Sequence, residues 1–477
     1  MENTLYYGDN LDVLKRYIKD ESIDLIYLDP PFKSGKNYNI LYKEGDGTKS
    51  DAQIRAFEDT WHWGKLAQTT FEEITEGEFP QKAKDLIISF KSFLGENDMM
   101  AYLVMMTPRI QELHRALKST GSIYLHCDPT ASHYLKLVID AVFGSKNFRN
   151  EIIWHYNSGS RGKLNFGRRH DTIFRYSKTN DYILNLDEVR EPYSPNINIT
   201  KSKDQYYHSL GKVIGDVWKI NIISQNDKKE RLGYPTQKPE ALLERIIKAS
   251  SNKGDIVLDP FCGCGTATNV SEKLKRKWIG IDITHLAITE TKNRLRDTFG
   301  DKVKYKMIGE PVDLKGAEEL AKEDRYQFQY WALDLVGARP LESEQKKGTD
   351  RGKDGYIYFY DDPKKKEIKK IIIQVKSGHV KVGDIRDLRG VIEREKAQIG
   401  VFITLRKPTK PMKTEAISSG KYTSPLRHKY PKMQILTIKE LLGGKKIEHP
   451  TRAVGIDDTF KKAERHEEKS KQKEMKF

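Results

Sequence analysis

What most constrains this chain is a set of short apolar runs that stop on acid, proline or glycine and are separated by segments of helical length. The run 23–28 stops at Asp29-Pro30-Pro31-Phe32, the run 121–125 follows a helical stretch over 100–117, and the runs 256–258 and 278–281 end beside further aspartates. Runs this short suit strands buried on both faces. Helices between them imply crossovers, so the fold class expected is α/β with a mostly parallel sheet covered on both sides. A polar helix is expected over 11–19. From about 160 to 233 the pattern gives way to mixed basic, aromatic and Asn-rich sequence, which reads as a recognition region rather than as sheet.

At 477 residues the chain exceeds one ordinary hydrophobic core, so a second domain is expected. Apolar periodicity fades over 307–323, and a new unit starts with a helix through Phe328, Tyr330, Trp331 and Leu335. Strands at 356–359, 371–375 and 401–404, with a helix at 384–396, make this second, smaller unit α/β as well. The expected domains are 1–310 and 325–445, and 458–477, almost all Lys, Glu, Arg and Gln, reads as a disordered charged tail.

Lys and Arg number 84 against 68 Asp and Glu, a formal charge of +16. Such an excess favours polyanionic partners such as nucleic acid, although a solvated basic face is the commoner cause of excess lysine. Cys127, Cys262 and Cys264 are too few and too poorly spaced for a disulfide framework or a four-ligand zinc site. With neither a leader pattern nor a bilayer-length apolar run, a soluble cytoplasmic protein away from membranes is expected.

Two segments carry chemistry, each following an expected parallel strand, where α/β sheets bind ligands. In the first, Asp29-Pro30-Pro31-Phe32, the Asp29 carboxylate and the Pro30 carbonyl are two rigidly held acceptors. An exocyclic base amine is a poor nucleophile because its lone pair is delocalised into the ring. Two acceptors for its hydrogens would free that lone pair and stabilise the positive charge developing on nitrogen. Prolines hold the acceptors in place. Phe32 offers a stacking face for a base extruded from a duplex, worth about 1–3 kcal/mol, comparable to the cost of flipping. By itself an Asp-Pro pair is equally an ordinary turn former.

The second segment runs Asp259-Pro260-Phe261-Cys262-Gly263-Cys264-Gly265-Thr266, followed by a helix and then a strand ending at Asp282. Gly263 and Gly265 permit a tight strand-to-helix turn and close backbone approach of a ligand, and Asp282, seventeen residues on, suits ribose hydroxyls. A dinucleotide fingerprint would want glycine at 268, where Thr268 stands. Cys262 and Cys264, without companion ligands, read as small residues packed in the loop.

With both motifs present in this order, residues 1–305 resemble the DNA amino-methyltransferases, specifically their beta group, in which Asp-Pro-Pro-aromatic precedes the recognition region and Phe-x-Gly-x-Gly comes last. Tyr7-Gly8-Asp9-Asn10-Leu11 is similar to a family segment whose acid meets the cofactor adenine, and 233–239 looks like the segment at the cofactor's methionine end. The resemblance implies a Rossmann-like domain using S-adenosylmethionine, with Asp9, Thr236, Lys238, Asp259, Phe261, Gly263, Gly265 and Asp282 around the cofactor and no metal for methyl transfer. It implies that Asp29, Pro30, Pro31 and Phe32 act on N6 of a flipped adenine in double-stranded DNA. The cytosine-N4 enzymes more often have Ser where this chain has Asp29. Phosphate contacts are expected from Arg161, Lys163, Arg168, Arg169, Tyr206 and Lys212. A second copy or a separate restriction subunit stays open as a protein partner.

In the second unit, Gln374 and Lys376 fall on one face of a strand, where Asp354 can join them. An acid and a lysine so placed can hold Mg²⁺ and orient water against a phosphodiester. Over residues 325–442 this unit resembles an Mrr-type restriction endonuclease fold. That implies a Mg²⁺ site at Asp354 and Gln374 with Lys376 beside it, but Gln374 stands where many members have Glu, so one anionic ligand is lost. Three alternatives remain: a methyltransferase alone, a fused restriction-modification enzyme, or a methyltransferase with an inactive DNA-binding appendage.

Overall fold

The computed structural model describes residues 2–31, 62–157, 166–193, 208–224, 226–227, 230–232, 234, 236–340, 353–361 and 367–450. Phe32, Arg161, Lys163, Tyr206 and the segment 458–477 lie outside them.

The first unit runs β1 (Thr4–Tyr7), α1 (Asn10–Tyr17), β2 (Ile23–Leu28), α2 (Lys65–Glu76), α3 (Gln81–Leu94), α4 (Asp98–Ala116), β3 (Leu117–Cys127) and α5 (Ser132–Phe143). It continues with β4 (Phe148–His155), β5 (His170–Ser177), β6 (Val217–Lys219), α6 (Glu240–Ser250), β7 (Ile256–Asp259), α7 (Thr266–Lys273), β8 (Lys277–Asp282), α8 (His285–Phe299) and β9 (Lys306–Ile308). These strands form one sheet in the order β6-β4-β5-β3-β2-β7-β8-β1-β9. All pairings are parallel except β5 with β3 and with β4. Every residue of β2 is buried, as a parallel strand covered on both faces requires. The expected strands and the helices at 11–19 and 100–117 are all present to within a few residues.

Two expectations need correction. The region 160–233 contains sheet: β5 pairs along the whole end of β3, from Ser122 opposite Ser177 to Cys127 opposite Thr172. Its apolar Ile173, Phe174 and Tyr176 are buried, but so are Thr172, Arg175 and Ser177, and these buried polar residues break the alternation that marks a strand. The stretch where periodicity fades holds a helix, α9 (Leu314–Glu323), which buries only Ala317 and Leu320.

The second unit adds α10 (Arg325–Leu335), β10 (Arg339–Pro340), β11 (Gly355–Phe359), β12 (Lys369–Lys376), α11 (Val382–Arg394), β13 (Ile399–Thr404), α12 (Lys410–Ser418), β14 (Lys421–Thr423), β15 (Lys429–Pro431), β16 (Met433–Thr437) and α13 (Ile438–Leu442). Five strands form a sheet in the order β10-β11-β12-β13-β16, antiparallel as far as β12 and parallel after it. One face packs Ile371, Ile373, Val401 and Leu436 against Phe328 and Trp331 of α10. The other packs Ile372 and Phe402 against Ile385, Leu388 and Met412.

The two units are joined by charge as well as packing. Lys292 on α8 lies 2.8 Å from each oxygen of Glu310 and 2.7 Å from Asp334 on α10, with all three side chains about one-sixth exposed. Burial disfavours the ammonium, but Asp334 and Glu310 outweigh it and hold its pKa above the ordinary lysine value. Lys292→Met strands two largely buried carboxylates against each other, so unfolding free energy is expected to fall by about 3 kcal/mol, the scale for removing one partner of a buried ion pair. Chemical denaturation measures it, and a loss below about 1 kcal/mol would place the cluster with ordinary surface pairs.

Candidate active site

Four adjacent parallel strands, β2, β7, β8 and β1, bring four acids to one edge of the sheet. Leu25 and Ile26 pair with Val257 and Leu258, Asp259 with Gly280, and Asp282 with Tyr7. Asp29, Asp259, Asp282 and Asp9 therefore stand at, or one or two residues beyond, the carboxyl ends of their strands. The chain reverses direction across the sheet here, between β3 on one side of β2 and β7 on the other, which is where open α/β sheets leave a binding crevice.

The catalytic candidates are split by what holds them. One carboxylate oxygen of Asp29, Oδ2, pairs with the Lys238 ammonium. The other, Oδ1, is buried and has no hydrogen-bond partner among the described residues. Pro30 is buried and Pro31 half-buried, so the turn carrying these acceptors is fixed against the sheet. Lys238 was expected beside the cofactor. Its side chain reaches Asp29, and its carbonyl accepts from Thr266 Oγ1 at the start of α7 (3.3 Å), linking the Asp29 turn to the glycine loop. Thr236 is half-buried nearby in sequence.

The glycine loop matches its expected form. Gly263 and Gly265 have φ of 49° and 72°, the left-handed region that glycine adopts without penalty. At Gly265 a Cβ would also lie 2.7 Å from the Thr291 side chain. The loop is pinned by Asp282, whose carboxylate accepts from Gly263 N at 3.0 Å and from Thr284 N and Oγ1, each at 2.9 Å. Phe261 is half-buried, and its N–H donates to Asp259 Oδ1 at 3.1 Å. Burial above all, with Asp29 and Asp282 adding their charge against the Phe261 hydrogen bond, pushes the Asp259 carboxyl well above the usual carboxylate range. Burial likewise raises Asp282, against the hydrogen bonds from Thr284 and Gly263. Cys262 and Cys264 are buried free thiols, in line with a packing role.

Three residues that sequence reasoning passed over complete the arrangement. Asp9 caps α1 through Leu11 N and pairs at 2.6 Å with Arg109 on α4. Arg109 also reaches Asn10 Oδ1 at 2.5 Å, and Asn10 Nδ2 donates to the Pro260 carbonyl at 2.8 Å. This chain of contacts ties Asp9 to the glycine-loop strand. Burial lowers the Arg109 pKa despite Asp9. The third residue, His126, lies fully buried behind Asp29. An arginine inside an otherwise apolar helical run was the one available signal for Arg109.

Comparison with known proteins now bears on this geometry. Residues 23–293 match the model of a DNA methylase family, N6_N4_Mtase, which spans more than half of the chain. The chain belongs to this DNA methylase family. The Type II methyltransferase M.HpaI of Haemophilus parainfluenzae is 30% identical over 321 residues, covering 66% of this chain and 81% of that protein. The DNA adenine methyltransferase YhdJ of Escherichia coli (strain K12) is 32% identical over 288 residues, covering 59% and 78% respectively. Residues 326–443 of the methylase match the model described as NACHT-associated inactive Restriction Endonuclease 1.

In that second unit of the methylase the expected nuclease residues are engaged otherwise. The Asp354 carboxylate accepts from Val375 N at 2.6 Å and from Gln329 Nε2 at 3.0 Å. Lys376 pairs at 2.5 Å with buried Asp384, which also caps α11 through Lys381 N. Gln374 Oε1 is buried without a hydrogen-bond partner among the described residues. No cluster of three or more His, Cys, Asp or Glu that could hold a metal occurs among the described residues. One anionic ligand already committed to a backbone amide does not fit a divalent cation, which takes several oxygen ligands. The expected Mg²⁺ site is thus corrected.

Of the expected phosphate contacts on the methylase, Arg168, Arg169 and Lys212 are exposed, and Lys212 lies 3.8 Å from Glu191. Among the described residues no helix is long and apolar enough to cross a membrane.

Proposed function

We propose that this methylase transfers the methyl group of S-adenosylmethionine to N6 of an adenine flipped out of double-stranded DNA. The observation that carries this reading is Asp29 Oδ1, a buried carboxylate oxygen without a partner among the described residues, held at a strand end by the Lys238 contact to its twin. Oδ1 and the Pro30 carbonyl accept the two amine hydrogens, so the nitrogen lone pair is aimed out of the ring plane and the charge growing on nitrogen meets an anion. The crevice suits the cofactor's chemistry. Two carboxyls raised by burial, Asp259 and Asp282, gain from a cationic sulfonium ligand, and the left-handed glycines let its backbone-facing groups approach. When bound, S-adenosylmethionine supplies an electrophilic methyl group. Asp282 would meet the ribose, Asp9 the adenine ring, and Thr236 and Phe261 the remaining wall. Asp29 where cytosine-N4 enzymes more often carry Ser favours adenine.

The test is to treat DNA with the methylase and cofactor, digest it and identify the modified nucleoside by mass. N6-methyladenosine in its deoxy form is the expected product; N4-methylcytosine alone would move the base assignment to cytosine.

The second unit is proposed to serve the methylase as a DNA-binding appendage without cutting, which is supported by the hydrogen-bonded Asp354 and the ion-paired Lys376. Unmethylated DNA that the methylase demonstrably modifies should stay intact when offered with Mg²⁺ and no cofactor. Cleavage abolished by Lys376→Ala would restore the nuclease reading.

A further inference from the structure

One buried cluster is left unused by this account of methyl transfer. The His126 ring, near the end of β3, is completely buried. Its Nδ1 lies 2.9 Å from the Tyr27 hydroxyl and its Nε2 lies 3.3 Å from Asp171 Oδ2. The other Asp171 oxygen accepts from the Tyr156 hydroxyl at 3.3 Å, and Trp154 meets the imidazole edge-on with centroids 5.4 Å apart. Asp29 Oδ1, the oxygen assigned to the substrate amine, is only 3.9 Å from His126 Nδ1.

The protons in this cluster can be placed. Burial first, then the charges of Asp29, Asp259 and Asp171, holds the Tyr27 hydroxyl well above its ordinary pKa. Tyr27 therefore keeps its hydrogen and donates it to Nδ1. The ring hydrogen is left on Nε2, directed at Asp171. Burial would raise Asp171, but the hydrogen bonds from His126 and Tyr156 and the nearby Lys238 ammonium hold it below the usual carboxylate range, so it stays an anion. In this state Nδ1 offers Asp29 nothing, and Oδ1 stays open.

We propose that His126 is a positioning residue for Asp29: neutral, it leaves Oδ1 free for the substrate amine, and protonated, it swings Nδ1–H from Tyr27 to Oδ1 and closes that acceptor. The inference rests on the methyl-transfer reading of Asp29. An ionic hydrogen bond is roughly twice as strong as a neutral one, so a charged imidazole gains by turning from the Tyr27 hydroxyl oxygen at 2.9 Å toward the Asp29 carboxylate, 3.9 Å away before the ring moves. The groups facing the ring are Tyr27 and Asp29 from β2 and its turn, Asp171 from β5, and Tyr156 beyond β4. Lys238 and Asp259 stand behind Asp29. Among these, Asp259 also has a raised carboxyl, and substituting His126 separates its titration from that of the imidazole.

The experiment is single-turnover methylation of DNA by the full chain at saturating cofactor between about pH 5.5 and 8.5, the range in which an imidazole titrates. The wild-type rate should fall about tenfold per pH unit on the acid side of one apparent pKa. His126→Gln, which cannot take up a proton, should have a flat profile there with cofactor affinity within about twofold of wild type. Asp171→Asn removes the anion that favours the charged ring, so its acid limb should move to lower pH. An acid limb unchanged in His126→Gln assigns the titration to a group other than His126, such as Asp259 or Asp282, and overturns the proposal. If His126→Gln fails to fold, Asp171→Asn decides: an unmoved limb overturns the proposal and a displaced one supports it. Wild-type protein that methylates DNA with no acid limb also overturns it, whereas no methylation of DNA at any pH overturns the methyl-transfer reading itself.

Discussion

Asp29→Ala is expected to lower single-turnover methyl transfer by at least about 10²–10³-fold, the scale seen when one preorganised group facing developing charge is removed. The reason is geometric. Oδ1 is a buried acceptor at the strand end without a hydrogen-bond partner among the described residues; Lys238, its twin oxygen's partner, is a donor and cannot replace it, and the Pro30 carbonyl is proposed to take the other amine hydrogen. Cofactor affinity should stay within about twofold, since the hydrogen bonds linking Asp29 to the glycine loop among the described residues run through Lys238, and losing one indirect contact costs well under 1.4 kcal/mol. Calorimetric titration of S-adenosylmethionine alongside the rate measurement separates the two quantities. A variant that binds cofactor tenfold more weakly yet methylates normally at saturation would show that Asp29 belongs to the cofactor pocket and not to the base.

Asp282→Ala should show the reverse pattern. Its carboxylate accepts hydrogen bonds from Gly263 N, Thr284 N and Thr284 Oγ1, and it is the acid proposed to meet the ribose. Removing it releases a loop whose glycines sit at positive φ and leaves Gly263 N without its acceptor. A buried donor left unsatisfied costs about 1–3 kcal/mol, so stability should fall by that order. Cofactor affinity should fall about tenfold to a hundredfold, or about 1.4–2.8 kcal/mol. At saturating cofactor the single-turnover rate should largely recover. A rate that stays a hundredfold down at saturation, with affinity unchanged, would exchange the roles given to Asp29 and Asp282.

These two acids show how differently residues of one type can be read in a sequence. Asp29 and Asp282 were both legible because each closes a short apolar run, and a strand's end is where a parallel sheet exposes a side chain to ligand. Arg109 and His126 were not. Each sits inside an element, Arg109 within α4 and His126 within β3, and each is buried. A buried polar residue inside a helix or strand carries no local pattern; its meaning lies in partners about a hundred residues away, Asp9 for Arg109 and Tyr27 for His126. Lys238 is an intermediate case. Its segment was recognisable, but its ammonium goes to Asp29 across a separation of 209 residues, which no spacing rule anticipates.

The sequence by itself determined the α/β class, the central strands and the two motif loops. Those depend on short-range physics: apolar runs of strand length, prolines that fix a turn, and glycines that reach positive φ. It likewise showed the helix through Phe328 and Trp331, which renews an apolar face that α9 barely shows. Only the tertiary structure decided that the stretch before Gly233 adds β5 to the sheet, since Arg175 and Ser177 become acceptable strand residues only when buried against partners. It also decided that Asp354 and Lys376 are spoken for, by Val375 N, Gln329 and Asp384. A strand pattern shows which side chains share a face, but whether a carboxylate is open to a metal depends on which donors the rest of the chain brings to it.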